Sequence, residues 1–298
     1  MIYKLLLVAA TVIWGSSFVF AKDLLSVITP HWLLAIRFGT AAVVLALFCA
    51  KKYKLFFQNK HLLYGAIMGL FMFGAYSTQT IGLMGTTPGK NAFLTAVYSV
   101  IVPFIAWWVT KKKPNKFNIS AALLSIIGVG FISLSSSDNT MSSGDALSLT
   151  CSVFYAFHIV FTAKYSQKRD IYVLTTVQFA TVGIIACVVG LIFEPLPNFA
   201  VFAGDDWFSL WYLALACTLV ALSFQNIGQQ HTAPASAALL LSLESPMGVI
   251  FSVALGAETL TVQVFIGFVL VFAAVLVSEL MPQLSAKRRK EIDTKEDG

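Results

Sequence analysis

Charged residues are scarce in this sequence of 298 amino acids. Asp, Glu, Lys and Arg make up 11% of the chain, whereas soluble domains average roughly 25%. Hydrophobic residues make up 58% of the chain, and the mean hydropathy is +0.81. A chain with so few polar groups cannot cover a water-exposed surface, and long apolar runs in a bilayer form helices. We therefore interpret it as an all-α integral membrane protein.

Cysteine is also rare, with four residues, and none of them forms a C-x-x-C pair. Neither a disulfide framework nor a zinc site is therefore predicted. The sequence has no H-E-x-x-H, G-x-S-x-G, P-loop or D-D-x-x-D motif. We predict no cofactor, no metal and no enzymatic activity, and the missing P-loop argues against an ATP-driven pump.

Long apolar runs separated by short polar loops predict ten transmembrane helices. The first run lies near the N-terminus but has no clear cleavage site, so we interpret it as a span and not as a signal peptide. A charged cytoplasmic tail, residues 285–298, follows the last span. The predicted spans cover residues 3–22, 31–50, 62–83, 90–110, 117–135, 145–164, 171–193, 207–228, 234–256 and 261–281.

The basic residues are unevenly distributed between alternate loops. With the N-terminus in the cytoplasm, 17 of the 20 Lys and Arg lie inside, and only Lys22 and Lys90 lie in outside loops. The inside residues are Lys4, Lys51, Lys52, Lys54, Lys60, Lys111, Lys112, Lys113, Lys116, Lys164, Lys168, Arg169, Lys287, Arg288, Arg289, Lys290 and Lys295. The positive-inside rule places both termini in the cytoplasm. We predict a protein of the cytoplasmic membrane with no nucleic-acid partner despite its net charge of +6, and we expect the basic cluster of its tail to lie near anionic headgroups.

The two halves of the chain resemble each other at an offset of 141 residues in their first two spans and of 146 residues from the third span onward. We predict two repeats of five helices, at residues 3–135 and 145–281. Because five is odd, the second repeat is inverted in the membrane, and Lys112 in an inside loop aligns with Glu258 in an outside loop. Inverted repeats are typical of transporters that alternate access. Aligned identical pairs include Ile81 with Ile227, Gly82 with Gly228, Pro88 with Pro234 and Ala92 with Ala238.

Glu244 is the only formal charge between Asp206 and Glu258, and it lies ten residues into an apolar run. At ~1.5 Å per residue the carboxyl group is ~15 Å deep, near the bilayer midplane. Ionisable residues at this depth are rare and usually functional. Two interpretations stay open. Glu244 exchanges a proton during transport, because burial disfavours its charged form, or it only hydrogen-bonds neighbouring helices.

Other polar side chains inside the spans are candidates for substrate binding or coupling. Tyr98 aligns with Glu244, so we expect the two to face each other between the halves. His158 is the expected proton partner of Glu244, and Arg37 either attracts an anionic group or extends to the surface. The serines of the first span either line a site or let helices approach closely. The full set is Trp14, Ser16, Ser17, Arg37, Gln79, Tyr98, His158, Gln178 and Glu244. We expect Trp14, Ser17, Tyr98, His158 and Glu244 to line one cavity between the halves.

Four short motifs carry a resemblance to a known family. They are Ile13-Trp14-Gly15-Ser16-Ser17-Phe18-Val19, Arg37-Phe38, Leu241-Ser242-Leu243-Glu244-Ser245-Pro246 and Leu255-Gly256-Ala257-Glu258-Thr259-Leu260. In their order and spacing the chain resembles the EamA family permeases of the drug/metabolite transporter (DMT) superfamily over essentially its whole length. The resemblance implies ten helices with both termini inside, and movement of small metabolites, often export of amino acids or toxic compounds. The chain departs from the family pattern at Ser245, which separates Glu244 from Pro246, and at Lys112.

We therefore predict a secondary transporter that moves a small metabolite by alternating access, with proton coupling as a hypothesis. The alternatives are an uncoupled facilitator or channel and an integral membrane enzyme acting on lipid. The expected partners are the small-molecule solute, protons and membrane lipids, in a monomer or homodimer, without nucleic acid. The sequence does not identify the solute.

Overall fold

The structure, a computed structural model, describes residues 2–111, 113–114, 116–133, 141–232, 234–257 and 259–296. Lys112 and Glu258, whose charges supported an inverted repeat, lie outside these residues. So does the segment 134–140, which contains the predicted end of the first repeat. The described part of the chain is helical and contains no β-strand, which confirms the all-α class.

The first half of the chain contains seven helices in the described residues, and the last two are separated by a short loop. A short 3₁₀ turn, Ala50–Lys52, follows the second helix. The helices are α1 (Ile2–Leu24), α2 (Pro30–Phe48), α3 (Tyr53–Phe56), α4 (Asn59–Met84), α5 (Pro88–Ala96), α6 (Tyr98–Thr110) and α7 (Lys116–Ser133).

The second half has a similar order of long helices, but its third long helix is divided by a π-helical segment. A π-helical segment, Tyr212–Val220, joins α10 to α11, and a 3₁₀ turn, Phe199–Val201, precedes α10. The helices are α8 (Ser143–Tyr165), α9 (Ile171–Phe193), α10 (Gly204–Trp211), α11 (Ala221–Gln230), α12 (Pro234–Leu241), α13 (Glu244–Ala254) and α14 (Val262–Glu296).

Six helical stretches in the described residues are long and apolar enough to cross a bilayer. Two further apolar helices, Lys116–Gly128 and Val262–Ala274, are shorter. These lengths indicate a multi-pass membrane protein, while the number of ten spans stays a prediction. The six stretches are Ile2–Leu24, Pro30–Phe48, Pro88–Val109, Ser143–Tyr165, Ile171–Phe193 and Gly204–Gln230.

Several helices begin at a capping residue that satisfies free backbone N–H groups. The side chain of Ser142 accepts from the N–H of Asp145 at 3.0 Å, and Thr87 caps α5 in the same way. Asp170 accepts from the first N–H groups of α9. Such caps matter in a bilayer, because hydrocarbon offers no hydrogen-bond partner to an open helix end.

Helices of the two halves are interleaved rather than packed as separate units. From the first half, α1 packs against α11 and α13, α2 against α9, and α4 against both α8 and α9. The pair α7 and α14 pack mainly against each other, beside the rest of the bundle. The centre of the molecule is therefore built from both halves at once.

Small residues bring some of these helices into close contact. A Cβ atom placed on Gly15 of α1 would lie 2.5 Å from the Cβ of Met247 in α13. At the start of α8, a Cβ on Gly144 would collide with the backbone of Gly85. Glycine at these positions lets backbones approach more closely than any other residue allows, as is common in membrane bundles.

A polar network joins α2, α4 and α9 at the end of the bundle that the basic residues assign to the outside. The carboxylate of Glu194, just after α9, accepts from the Thr29 hydroxyl at 2.7 Å and from the backbone N–H of His31 at 3.1 Å. The His31 ring lies 2.6 Å from Glu194 and 2.9 Å from the Ser77 hydroxyl. Burial raises the pKa of Glu194, but these hydrogen bonds and the His31 ring outweigh burial and hold it below the usual glutamate value.

Candidate functional site

Two helices are interrupted at equivalent positions near the centre of the bundle. The first interruption is at Val97, between α5 and α6, and the second is at Ser242 and Leu243, between α12 and α13. The 146-residue offset found in the sequence maps the first break onto the second. Interrupted helices in corresponding positions of two repeats mark the binding site in many transporters.

The first residues after the two breaks are Tyr98 and Glu244, and they meet. Their side chains are hydrogen-bonded to each other, which confirms the prediction that they face one another. Glu244 is only 6% exposed and Tyr98 is similarly buried. The centre of the molecule therefore holds a carboxyl group in contact with one hydroxyl.

A narrow cavity of about 40 Å³ lies beside Glu244. It has room for about three water molecules, at roughly 10–15 Å³ each. Both halves of the chain contribute to its wall, and most of its polar side chains are neutral. The lining residues are Trp14, Ser17, Phe18, Ala21, Arg37, Tyr76, Gln79, Thr80, Leu83, Tyr98, Tyr155, Ile159, Gln225, Leu241 and Glu244.

Arg37 brings a positive charge to the same cavity. It is 4% exposed, its Nε donates to the Thr218 hydroxyl at 3.1 Å, and its guanidinium lies 5.5 Å from the centre of the Tyr76 ring. Among the described residues, neither Arg37 nor Glu244 takes part in an ion pair. The cavity thus has one basic and one acidic side chain that do not neutralise each other by direct contact.

Trp14 and Ser17 of α1 line the cavity, as expected. The indole Nε1 of Trp14 donates to the carbonyl of Cys217 at 2.8 Å, and the Ser17 hydroxyl donates to the Trp14 carbonyl at 2.8 Å. Ser16 does not line it, because its hydroxyl is 2.7 Å from that of Tyr212 and bonded to the carbonyl of Ile13. Ser16 thus joins α1 to the π-helical segment.

Gln79 of α4 also lines the cavity, and both polar atoms of its amide group are hydrogen-bonded. Its amide nitrogen donates to the Thr95 hydroxyl at 3.1 Å, and its oxygen accepts from the Tyr155 hydroxyl at 3.1 Å. The amide therefore links α4, α5 and α8 around the cavity wall.

His158 and Gln178 lie in a second polar cluster and not in the cavity wall. His158 is fully buried, with its Nε2 3.2 Å from the Thr162 hydroxyl, and it also contacts Gln178. Gln178 accepts from the Asn226 amide at 3.1 Å. The expectation that His158 lines the cavity with Glu244 is therefore wrong. The neighbouring Ile159 faces the cavity, and one residue along a helix turns the side chain by ~100°.

Two residues that contact Arg37 were not among the candidates named from the sequence. Tyr76 lies beneath the Arg37 guanidinium, and Thr218 accepts its hydrogen bond. Tyr76 carried a usable signal, because an aromatic side chain with a hydroxyl in the interior of α4 departs from the interfacial belt in the same way as Trp14. Thr218 carried none, since threonine is common in transmembrane helices.

Lys22 lies where α1 meets the end of α4, near the cavity-lining Ala21 and Leu83. Its Nζ donates to the carbonyls of Leu83, Met84 and Thr86 at 2.6, 2.9 and 3.0 Å. A cation at the C-terminal end of a helix satisfies carbonyls that have no helical partner. Among the described residues, no group of three His, Cys, Asp or Glu side chains is arranged as metal ligands.

Comparison with known sequences places the chain among membrane transporters. The sequence model of the EamA-like transporter family matches residues 1–134 and again residues 142–280. An uncharacterized transporter of Archaeoglobus fulgidus is 31% identical over 280 residues, which cover 91% of this chain and 84% of that protein. The uncharacterized transporter YyaM of Bacillus subtilis is 23% identical over 298 residues, which cover 96% of each chain.

A solved crystal structure of another protein has a similar fold. It superposes with a TM-score of 0.71 at 15% sequence identity, and the match covers 94% of this chain and 96% of that one. At this level of identity the similarity concerns the fold alone. The family match and the sequence relatives point to a transporter rather than an enzyme.

Proposed function

The chain belongs to the EamA-like transporter family, and on this premise we propose that it is a secondary transporter that exports a small zwitterionic metabolite by alternating access. A family of transporters implies a small solute. The zwitterionic class, the outward direction and the coupling to protons are inferred from the central cavity. The protein acts in this proposal as a monomer or homodimer in the cytoplasmic membrane.

The proposed architecture is ten transmembrane helices in two inverted repeats, residues 3–135 and 145–281. Within the described residues each predicted span is largely helical, and the spans outside the six long apolar stretches correspond to α4, α7, α12 with α13, and α14. The equivalent breaks at Val97 and Leu243 support the repeat. The basic residues support cytoplasmic termini and a cytoplasmic tail, residues 285–298.

The observation that carries the proposal is the pair of opposite charges in one cavity between the halves. The guanidinium of Arg37 is suited to a carboxylate, because its planar N–H groups match the two oxygens. Glu244 is suited to an ammonium group. A solute with both groups satisfies both buried side chains at once, which a purely apolar or singly charged solute does not.

The size of the cavity supports alternating access. A volume of about 40 Å³ is far below the ~300–1,000 Å³ of typical ligand pockets, so the solute enters only when the cavity widens. The wall comes from both halves, and a movement of one half against the other widens it. Inverted repeats around a midplane site move in this way.

Proton coupling follows from competition at Glu244. A buried carboxylate without a cationic partner is costly, so Glu244 binds either a proton or the ammonium group of the solute. When it releases the solute on one side and a proton on the other, the two move in opposite directions. Protons entering the cell then drive the solute out. His158, the partner expected from the sequence, does not reach this cavity, and Tyr98 is the group in contact with Glu244.

The test is solute flux in proteoliposomes with an acidic interior, using a mixture of ¹⁴C-labelled amino acids as the probe. We expect saturable accumulation by the unaltered protein. Glu244→Gln should lose accumulation driven by the pH gradient. Arg37→Gln should raise the half-saturation concentration, and Arg37→Lys should do so less, because it keeps the charge but not the planar geometry.

Asp23→Asn is the control for Glu244→Gln, because it removes a negative charge outside the cavity. Arg169→Gln is the control for Arg37→Gln, because it removes a positive charge outside the cavity. Accumulation by Glu244→Gln with the same rate and pH dependence as the unaltered protein contradicts coupling through this residue. Saturable flux without a pH effect indicates an uncoupled facilitator. Absence of any flux contradicts the transport of zwitterions.

A further inference from the structure

A second, larger pocket lies at the end of the bundle that the basic loops assign to the cytoplasm. It has a volume of about 550 Å³ and lies between the last turns of α6, α8 and α11. Polar and apolar side chains both line it, and the polar ones include Lys164, Gln167, Gln229, Gln230 and Thr232. The volume is within the ~300–1,000 Å³ typical of small-molecule sites.

Gln229 is the unusual residue of this inner pocket. It is only 2% exposed, and neither its amide oxygen nor its amide nitrogen has a hydrogen-bond partner among the described residues. The hydroxyl of Thr232 is unpartnered in the same way. The adjacent Gln230 behaves differently, since it donates to the carbonyls of Ser166 and Arg169 at 2.7 and 2.9 Å. Gln230 therefore holds the loop that follows α8 in place, while the buried Gln229 amide has no hydrogen-bond partner among the described residues. A buried polar group without a partner calls for an explanation, and a role in binding another molecule is one of them.

The inner pocket and the central cavity are separated by a thin wall. Gln225 lines the central cavity and Gln229 lines the inner pocket, and the two are one helical turn apart on the same face of α11. On α8, Ile159 lines the cavity and its neighbour Val160 lines the pocket. One turn of helix, ~6 Å, divides the two spaces.

We propose that the inner pocket is a second solute-binding site, where Gln229 holds a small zwitterionic solute from the cytoplasm before it passes Gln225 into the central cavity. An amide both donates and accepts, so it pairs with the ammonium and the carboxylate groups of such a solute. Lys164 at the rim adds a positive charge for the carboxylate. This inference rests on the proposed function and adds a loading site to it.

The test measures how far bound amino acids protect a cysteine in the inner pocket from alkylation. Gln167 is exposed and lines the pocket, so Gln167→Cys reports access. Three native cysteines are buried, and the half-buried Cys187 is replaced by Ala in all variants. Everted membrane vesicles are treated with a membrane-impermeant maleimide, with and without a mixture of the nineteen amino acids other than cysteine, whose thiol would itself consume the maleimide. We expect the amino acids to slow alkylation of Gln167→Cys several-fold and sucrose to have no effect.

Adding Gln229→Leu should abolish the protection, whereas Gln58→Leu, which removes an exposed amide from another inside loop, should leave it unchanged. Where Gln229→Leu does not fold, Gln229→Met removes the amide from a side chain of similar length. Alkylation at one rate with and without amino acids overturns the proposal, as does protection that survives the loss of the Gln229 amide. Protection of Gln167→Cys from alkylation does not require flux. A failure of the Arg37 and Glu244 flux predictions would therefore contradict the proposed function without deciding whether the inner pocket binds solute.

Discussion

At the scale of single residues, Thr218 fixes the position of the Arg37 guanidinium. Its hydroxyl accepts from Arg37 Nε at 3.1 Å and donates to the Leu213 carbonyl at 2.8 Å. Thr218→Val keeps the shape but removes the acceptor. We expect the half-saturation concentration for solute exchange to rise about ten-fold, because a hydrogen bond to a charged group contributes about 1.5 kcal/mol or more. Counterflow at several solute concentrations measures this.

Thr218→Ser is the control for that measurement. It keeps the hydroxyl and loses one methyl group, so we expect a half-saturation concentration close to that of the unaltered protein. An equal rise in both variants would assign the effect to helix packing. In that case Thr218 does not position Arg37.

Glu194 makes the stability of the outer end depend on pH. Its folded-state pKa lies below the usual glutamate value of 4.5. The carboxylate therefore stabilises the fold above the pKa of the unfolded chain, and this contribution is lost as the pH falls through the folded-state pKa. We expect Glu194→Gln to lower the free energy of unfolding by about 1–2 kcal/mol at pH 7.

Thermal unfolding in detergent, followed across pH, measures this contribution. The difference in Tm between Glu194→Gln and the unaltered protein should shrink as the pH falls below 4.5. Asp205→Asn, in an exposed part of the same side, should show no such trend. A difference that is constant from neutral to acidic pH would contradict the role of the charge.

The residues of the central cavity could be predicted only in part. The depth of Glu244 and its alignment with Tyr98 were readable, because both follow from counting along the chain. The sequence did not indicate towards which neighbouring helices the His158 side chain points. A helix that is apolar all round has no single polar stripe, so its sequence does not indicate which face meets the cavity. The same limit hid the contact between Arg37 and Thr218, which are 181 residues apart.

At the scale of helices, the close contact of α1 with α13 should be sensitive to a single methyl group. A Cβ on Gly15 would lie 2.5 Å from the Met247 Cβ and 2.8 Å from its carbonyl carbon. Gly15→Ala must push the helices apart, and we expect a loss of about 1–3 kcal/mol in stability. Denaturation in mixed micelles, followed by intrinsic fluorescence, measures it.

Gly39 provides the matched control, because a Cβ on it would meet nothing within 4 Å. Gly39→Ala, also inside a helix, should be neutral or slightly stabilising, since alanine favours helix. Equal destabilisation by both substitutions would show that backbone propensity, and not the contact with Met247, decides the effect.

The apolar runs of the sequence predict the helices. Of the two helix breaks, one has a local sequence signal and the other has none. Pro246 has no backbone N–H for a helical bond one turn earlier, where the second break lies. The break at Val97 has neither proline nor glycine beside it, and the nearest proline, Pro103, lies within α6. This break depends on the packing of α5 and α6 between other helices, which a local pattern does not contain.

At the scale of the whole molecule, the arrangement of charges predicts which loops face the cytoplasm. Single cysteines at Gly204 and Gln167, with Cys187→Ala, should react differently with a membrane-impermeant maleimide on intact cells. We expect labelling at Gly204 only, and labelling at Gln167 after permeabilisation, because basic loops stay inside. Labelling of both positions, or the reverse order, would contradict the predicted orientation of the second repeat.

The narrowness of the central cavity also bears on how the cell keeps its ion gradients. About three water molecules fit there, and the wall at Ile159 and Val160 divides them from the inner pocket. Within the part of the chain that the structure describes, hydronium and sodium ions thus find no wide aqueous passage from the inner pocket through the central cavity. A membrane can hold many copies of the protein without electrical leak, whereas a permanently open pore through the same bundle would discharge the gradients that secondary transport uses.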